Sequence, residues 1–235
     1  MKQICKLVVV MLLLAFTAGV QAQLVTYPES LNPGMPHNDD YTVRVRIPGG
    51  EWKDLFEYNV QVDMDNVQNA SMVQFDMGSP VEVMVKKNNG SVREVAIRPL
   101  NKGVEYKLMQ DAILFTLEKP QYLSIEFDGD RLHNLHLFAN PLETEKYDKE
   151  AKGIMYFGPG VHRPKDLPNN QIRIPGNTTV YLAPGAVVKA KLLVDKAENV
   201  RIIGRGILDH PIRGIEITDS KNVLIDGITV VNPDH

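Results

Sequence analysis

The residues whose types and spacing could do chemistry in this sequence are Lys189, Asp209 and Asn232, with His210, Asp234 and His235 beside them. Counted nine residues on from Val180, Val200 and Val223, the first three fall in one column, each just after a short apolar run. An ammonium, a carboxylate and an amide at one position of successive repeats make a polar wall of the kind a hydroxyl-rich ligand needs. The same column is also what a solvent-facing turn presents. Asp209 and Asp234 offer a carboxylate pair, but a stack one repeat apart brings their backbones too close for a water-separated acid and base unless the side chains splay. Asp209, His210 and Asn232 are therefore read as wall residues of a substrate groove, and no catalytic role is assigned.

Other clusters carry less. His133 and His136 are an odd number of residues apart, so on a strand their imidazoles point to opposite faces and cannot share a metal. His37-Asn38-Asp39-Asp40 has oxygen ligands for calcium but lacks the spacing of a dedicated loop, and reads as a solvated leader. Trp52 could stack on a sugar ring; it is read as core. Cys5 is the single cysteine. No disulfide is possible within the chain, and no metal site or cofactor is expected.

Cys5 also lies within a leader. Lys2 and Lys6 precede an apolar run from Leu7 to about Val20, and Val20-Gln21-Ala22 supplies small residues for a signal peptidase. Residues 1–22 read as a secretory signal with cleavage between Ala22 and Gln23, which makes the protein periplasmic or extracellular. The run is shorter than the roughly 20 residues a membrane span needs, so no permanent membrane anchor is expected. Losing Lys2 and Lys6 and no acid takes the net charge from −3 to −5. That balance, without a Lys/Arg block, excludes a nucleic-acid partner, which would need clustered positive charge.

What must position the column is a chain of 235 residues, 43% hydrophobic and 23% charged, enough for one or two packed domains. From Tyr41 to Phe138 apolar residues alternate with polar ones in short runs, as in Val43, Val45 and Ile47 or Val81, Val83 and Val85. Turn clusters such as Pro48-Gly49-Gly50 and Asp128-Gly129-Asp130 separate them. Eight or nine strands at about ten-residue spacing predict a β-sandwich over residues 23–142. Glu143 to Lys152 reads as a linker. Beyond it, Thr179-Val180-Tyr181-Leu182, Asn199-Val200-Arg201-Ile202-Ile203-Gly204 and Asn222-Val223-Leu224-Ile225-Asp226-Gly227 repeat a strand and a tight turn, with Val180, Val200 and Val223 separated by 20 and 23 residues. A period near 22 without a helix predicts one coil of a parallel β-helix over residues 143–235, with Asn199 and Asn222 stacked in a ladder. The Leu-x-x-Leu-x-Leu consensus of a leucine-rich repeat is absent. Two complete coils and part of a third are legible, so the β-helix is expected to be truncated and the chain to be a fragment. The fold class expected is all-β, a sandwich followed by the first coils of a right-handed β-helix.

These segments, with Tyr156-Phe157-Gly158-Pro159-Gly160-Val161-His162, Pro184-Gly185-Ala186-Val187-Val188-Lys189, Gly204-Arg205-Gly206-Ile207-Leu208-Asp209 and Ile228-Thr229-Val230-Val231-Asn232-Pro233, resemble the opening coils of pectinase-type glycoside hydrolases. The coil motifs are similar to family 28, the polygalacturonases, and to family 49, the dextranases and isopullulanases. A signal, then a sandwich, then a β-helix is the layout of family 49. The resemblance covers residues 150–235 well and the sandwich in outline. It implies a polysaccharide substrate and inverting hydrolysis, with a carboxylic acid on the leaving oxygen and carboxylates activating water on the opposite face. The family's Asn-x-Asp and Asp-Asp motifs, and the Gly-His-Gly and Arg-x-Lys motifs of family 28, come after the Gly-x-Gly-x-x-Asp segment and are not in this sequence. The resemblance thus places the catalytic residues beyond His235. Two other readings stay open: a non-catalytic carbohydrate-binding or adhesion module, and a polysaccharide lyase, for which Lys189 and Arg205 make a poor base.

Overall fold

The computed structural model describes residues 23–27, 35–63, 65–164 and 170–233. The signal segment, Asp234 and His235 lie outside the described residues.

Two sheets share the first core. One contains β1 (Leu24–Thr26), β4 (Tyr58–Val62), β5 (Gln68–Met77), β7 (Val95–Arg98), β10 (Gln121–Phe127) and β11 (Leu135–Pro141). The other runs in the order β3 (Lys53–Asp54), β2 (Tyr41–Arg46), β6 (Val81–Lys87), β9 (Ala112–Leu117), β8 (Tyr106–Met109). Val43, Val45, Val83, Val85 and Phe115 from one sheet meet Val73, Phe75, Ile125, Phe127 and Leu137 from the other in a single buried cluster. The period of two puts these side chains on one face of each strand and Arg44, Glu82 and Met84 on the other. The sandwich opens at β1, ahead of the first strand legible in the sequence, and β5 pairs β11 in parallel within otherwise antiparallel sheets.

β5 departs from simple alternation because both its faces are covered. Val73, Phe75 and Met77 point into the sandwich, and Ala70, Met72, Gln74 and Asp76 are buried on the other side. What covers that second side is the β-helix.

The solenoid has three parallel sheets. The first stacks β12 (Ile154–Phe157), β15 (Thr179–Leu182), β18 (Glu198–Gly204) and β21 (Lys221–Asp226). The second stacks β13 (Gly160–His162), β16 (Ala186–Val188), β19 (Ile207–Asp209) and β22 (Thr229–Val231). The third stacks β14 (Gln171–Arg173), β17 (Lys191–Asp195) and β20 (Ile215–Thr218). Among the described residues there are three coils of three strands and two strands of a fourth, one coil more than the repeats revealed, because the Ile154–Arg173 coil lacks the Asn-Val signature. Val180, Leu182, Ala186, Val188, Leu192, Val194, Val200, Ile202 and Leu208 fill the interior.

The register corrects one expected column. Val180 pairs with Ile202 and Ile202 with Ile225, whereas Val200 pairs with Val223. Aligning Val180 with Val200 is thus off by two, which preserves the inward face and so leaves no trace in the hydrophobic pattern. The Asn ladder does form and is longer than expected: Asn199 Nδ2 donates to Asn177 Oδ1 at 3.0 Å, and Asn222 Nδ2 to Asn199 Oδ1 at 2.7 Å. All three are left-handed, with φ of 57°, 57° and 51°, a conformation Asn tolerates better than most residues.

Candidate functional site

Each sheet of the solenoid has one inward and one outward face, and the three outward faces differ in what covers them. Outside the second sheet, Val161, Val187 and Ile207 pack with Tyr58, Val60, Ala70 and Met72 of the sandwich. Outside the first, the segment read as a linker is docked as a strap. Tyr147 stacks on Tyr181 at 4.6 Å between centroids, Tyr181 Oη donates to Glu143 Oε2 at 2.9 Å, and Arg201 donates twice to Glu145 at 3.0 and 2.8 Å. The outer face of the third sheet is mixed: Arg173 and Thr218 are exposed, while Lys191 and Leu193 are buried.

The third sheet carries a ladder of ion pairs to solvent. Arg173 Nη1 lies 2.9 Å from Asp195 Oδ2, Thr218 Oγ1 donates to Asp195 Oδ1 at 2.8 Å, and Lys191 Nζ pairs with Glu216. A hydrogen bond from Thr218 and then Arg173 hold the Asp195 carboxyl below its ordinary value; Lys191 does the same for Glu216. Both are ionised bases at neutral pH. A general acid needs the opposite shift.

Lys189, Asp209, His210 and Asn232 meet where the second sheet turns into the third. Lys189 Nζ pairs with Asp209 Oδ2, while Oδ1 accepts from Asn232 Nδ2 at 2.8 Å and lies 2.7 Å from His210 Nδ1. Burial alone would raise the Asp209 carboxyl, but the bonds from Lys189 and Asn232 and the Lys189 charge outweigh it and the net shift is downward. The expected column exists, displaced by one residue at its last member: Asp209 pairs in backbone register with Val231, and Asn232 reaches back to it. Its direction differs from the expected wall. The side chain of Asp209 is 1% exposed, Asn232 is 5% exposed and its Oδ1 accepts from the Gln61 backbone N–H of the sandwich at 2.7 Å. Only His210 presents a substantial surface, 46% of its side chain.

The remaining sequence candidates are placed as follows. Ala22, Asp234 and His235 lie outside the described residues; Gln23 anchors the sandwich edge, accepting from Gly78 N–H at 3.0 Å. Trp52 is half-buried under the Arg46 guanidinium, 4.2 Å from the ring centroid, and is not part of the sandwich core. His133 sits in a turn held by Asp130, outside β11, and His136 is on β11, where burial lowers its pKa. The His37 to Asp40 segment is not a free leader. Asn38 is buried, and His37 bridges Asp39 at 2.7 Å and Glu57 at 3.1 Å. Among the described residues no group of three His, Cys, Asp or Glu side chains could hold a metal ion.

Carboxyls pushed upward do occur, at Glu57, Asp76 and Glu143, in each case by burial. None of them is on the third sheet. Arg173, Lys191, Asp195 and Glu216 were missed in the sequence because the strands of the third sheet carry no Asn-Val signature; the outward positions one coil apart would have found them.

The described residues thus form a sandwich roofed on its outer face by a parallel β-helix. In fold the chain is similar to Dex49A from Penicillium minioluteum, with a TM-score of 0.59 and 21% identity over 79% of this chain and 48% of that one. The chain spans about half the length of that protein. No family model matches the sequence, and no curated protein does.

Proposed function

We propose that this chain is the N-terminal part of an exported polysaccharide-degrading glycoside hydrolase, with the third sheet forming part of the floor on which the glycan lies. One observation carries the reading: among the described residues, the outer face of the third sheet carries paired polar side chains around Leu193, Arg173 with Asp195 and Thr218 and Lys191 with Glu216, running from coil to coil and suited to an extended, hydroxyl-rich polymer. The likeness in fold to Dex49A supports it, and that name carries the number of the family whose layout the sequence resembles.

In this reading hydrolysis is inverting. One carboxylic acid protonates the leaving oxygen and one or two carboxylates activate water across a gap of about 6.5–9.5 Å. Asp195 and Glu216 are ionised, which excludes them as the acid, and their oxygens are held by Arg173, Thr218 and Lys191 rather than free for water, so in this reading the catalytic carboxyls belong to further coils. Ile217, Ile225 and Val230 support such coils. They stand in the inward columns under Val194, Ile202 and Leu208 yet are exposed, and another coil would bury them. Export by residues 1–22 is part of the same proposal.

Reducing-sugar release from dextran, pullulan and polygalacturonate tests it. A protein extended by further coils is expected to turn over one of them, and the 235-residue chain none. Turnover by this chain alone would overturn the assignment of catalysis to later coils. The pairing of the Asp195 and Glu216 carboxylates also favours a second reading, a carbohydrate-binding module, which saccharide binding without turnover in the extended protein would support.

A further inference from the structure

We propose that His210 is a saccharide-contacting residue that accepts a hydrogen bond from a sugar hydroxyl through Nε2, with Asp209 as the positioning residue behind it. The inference rests on the reading of the outer face of the third sheet as a glycan surface and deepens it by naming an atom and the group it takes.

Asp209 holds the His210 ring from behind. Its carboxylate is buried and ionised, so it can only accept hydrogen bonds. The Nδ1 atom 2.7 Å away must therefore carry the proton. In the neutral imidazole Nε2 then bears the lone pair, and it has no partner among the described residues. Lys189 and Asn232 hold the carboxylate from its other sides, so the acceptor that fixes the ring is itself fixed.

The second step compares two coils. His210 and Asn232 follow the paired residues Asp209 and Val231 and share the same left-handed corner, with φ of 52° and 50°. Asn is among the residues such a corner favours, and in the fourth coil it turns toward the sandwich to satisfy Asp209 and Gln61 N–H. His also tolerates this corner, and here it bonds Asp209 through Nδ1 while leaving nearly half its side chain in solvent. The exposed part carries Nε2, whose lone pair the Asp209 bond orients at the corner between the second and third sheets.

A hydroxyl donates to such an atom; a uronate carboxylate does not, unless the ring is protonated. Isomaltohexaose offers hydroxyls only and hexagalacturonate hydroxyls and carboxylates, and the protonation of Nε2 tells the two contacts apart, with the His210 imidazole nitrogens followed by long-range proton–nitrogen NMR at pH 8 and Kd by calorimetry. Isomaltohexaose is expected to shift Nε2 while Nδ1 keeps its proton, and His210→Ala to weaken binding about three- to tenfold. His210→Gln, whose amide oxygen can accept, should recover part of the loss. Unchanged affinity in His210→Ala overturns the role of His210 while the glycan reading stands, and engagement of His210 by either sugar with Nε2 protonated overturns the hydroxyl assignment. If wild-type protein binds neither sugar, both readings fall. The side chain is peripheral, and thermal melts of the variants confirm that the fold is retained.

Discussion

Arg205 Nε lies 3.0 Å from Asp76 Oδ1, and this pair, with side chains 9% and 4% exposed, joins the β-helix to the sandwich across 129 residues of chain. The same carboxylate oxygen accepts from Tyr27 Oη, and Arg205 Nη2 donates to Pro141 O at 2.8 Å. Burial raises the Asp76 carboxyl, and the Tyr27 bond and Arg205 oppose it.

Removing one partner of such a pair leaves an uncompensated buried charge. Arg205→Ala is expected to cost about 3–5 kcal/mol in urea unfolding, and Arg205→Met with Asp76→Asn distinctly less than the single change. Equal cost for the single and double variants would show that the packing of the guanidinium, not its charge, holds the interface.

Gly204 is required by space as well as by backbone. Its φ is 127°, and a Cβ there would fall 2.0 Å from Leu182 O in the coil before. Gly204→Ala should destabilise by about 1–3 kcal/mol from overlap alone, with strain added, and calorimetric melting measures it. An unchanged Tm would mean that the coils are not stacked in this register.

Asn199 both donates and accepts in the ladder between Asn177 and Asn222. Asn199→Ala loses two side-chain hydrogen bonds and sets Ala in a left-handed corner, for a cost of about 1–3 kcal/mol. Asn199→Gly keeps the corner without the bonds, so the difference between the two variants in urea unfolding reports the backbone share.

The strap should release in acid. Hydrogen bonds from Arg201 and Tyr147 hold the Glu145 carboxyl down at about 2. A depressed carboxyl stabilises above its unfolded value of about 4.3 and loses that contribution as pH falls toward 2. Amide exchange of residues 143–150 is thus expected to accelerate between about pH 4.5 and 2, and Glu145→Gln to flatten that dependence. Acceleration of the same size in Glu145→Gln would place the acid-sensitive contact elsewhere.

The legible parts of the fold are those that repeat locally. Val81, Val83 and Val85 show their inward face by alternation alone, and Asn199 and Asn222 mark a corner because few residues accept that φ. The coil of Ile154–Arg173 showed itself only at Tyr156–His162, through the resemblance, because it lacks the Asn-Val repeat that counts the later coils, and the strap stayed hidden because Glu143, Glu145 and Tyr147 look like a solvated linker until Arg201 and Tyr181 stand opposite them.

The sequence by itself thus determined the all-β class, the sandwich followed by a coil of about 22 residues, and the meeting of Lys189, Asp209 and Asn232, since period and turn chemistry are properties of neighbouring residues. Only the tertiary structure decided that Asp209 and Asn232 are buried against the sandwich, that Val180 stacks on Ile202, and that paired polar side chains line the outer face of the third sheet. An outward side chain is exposed or buried according to what folds over it, and here the covering strands, β4 and β5, lie more than 100 residues away in the chain.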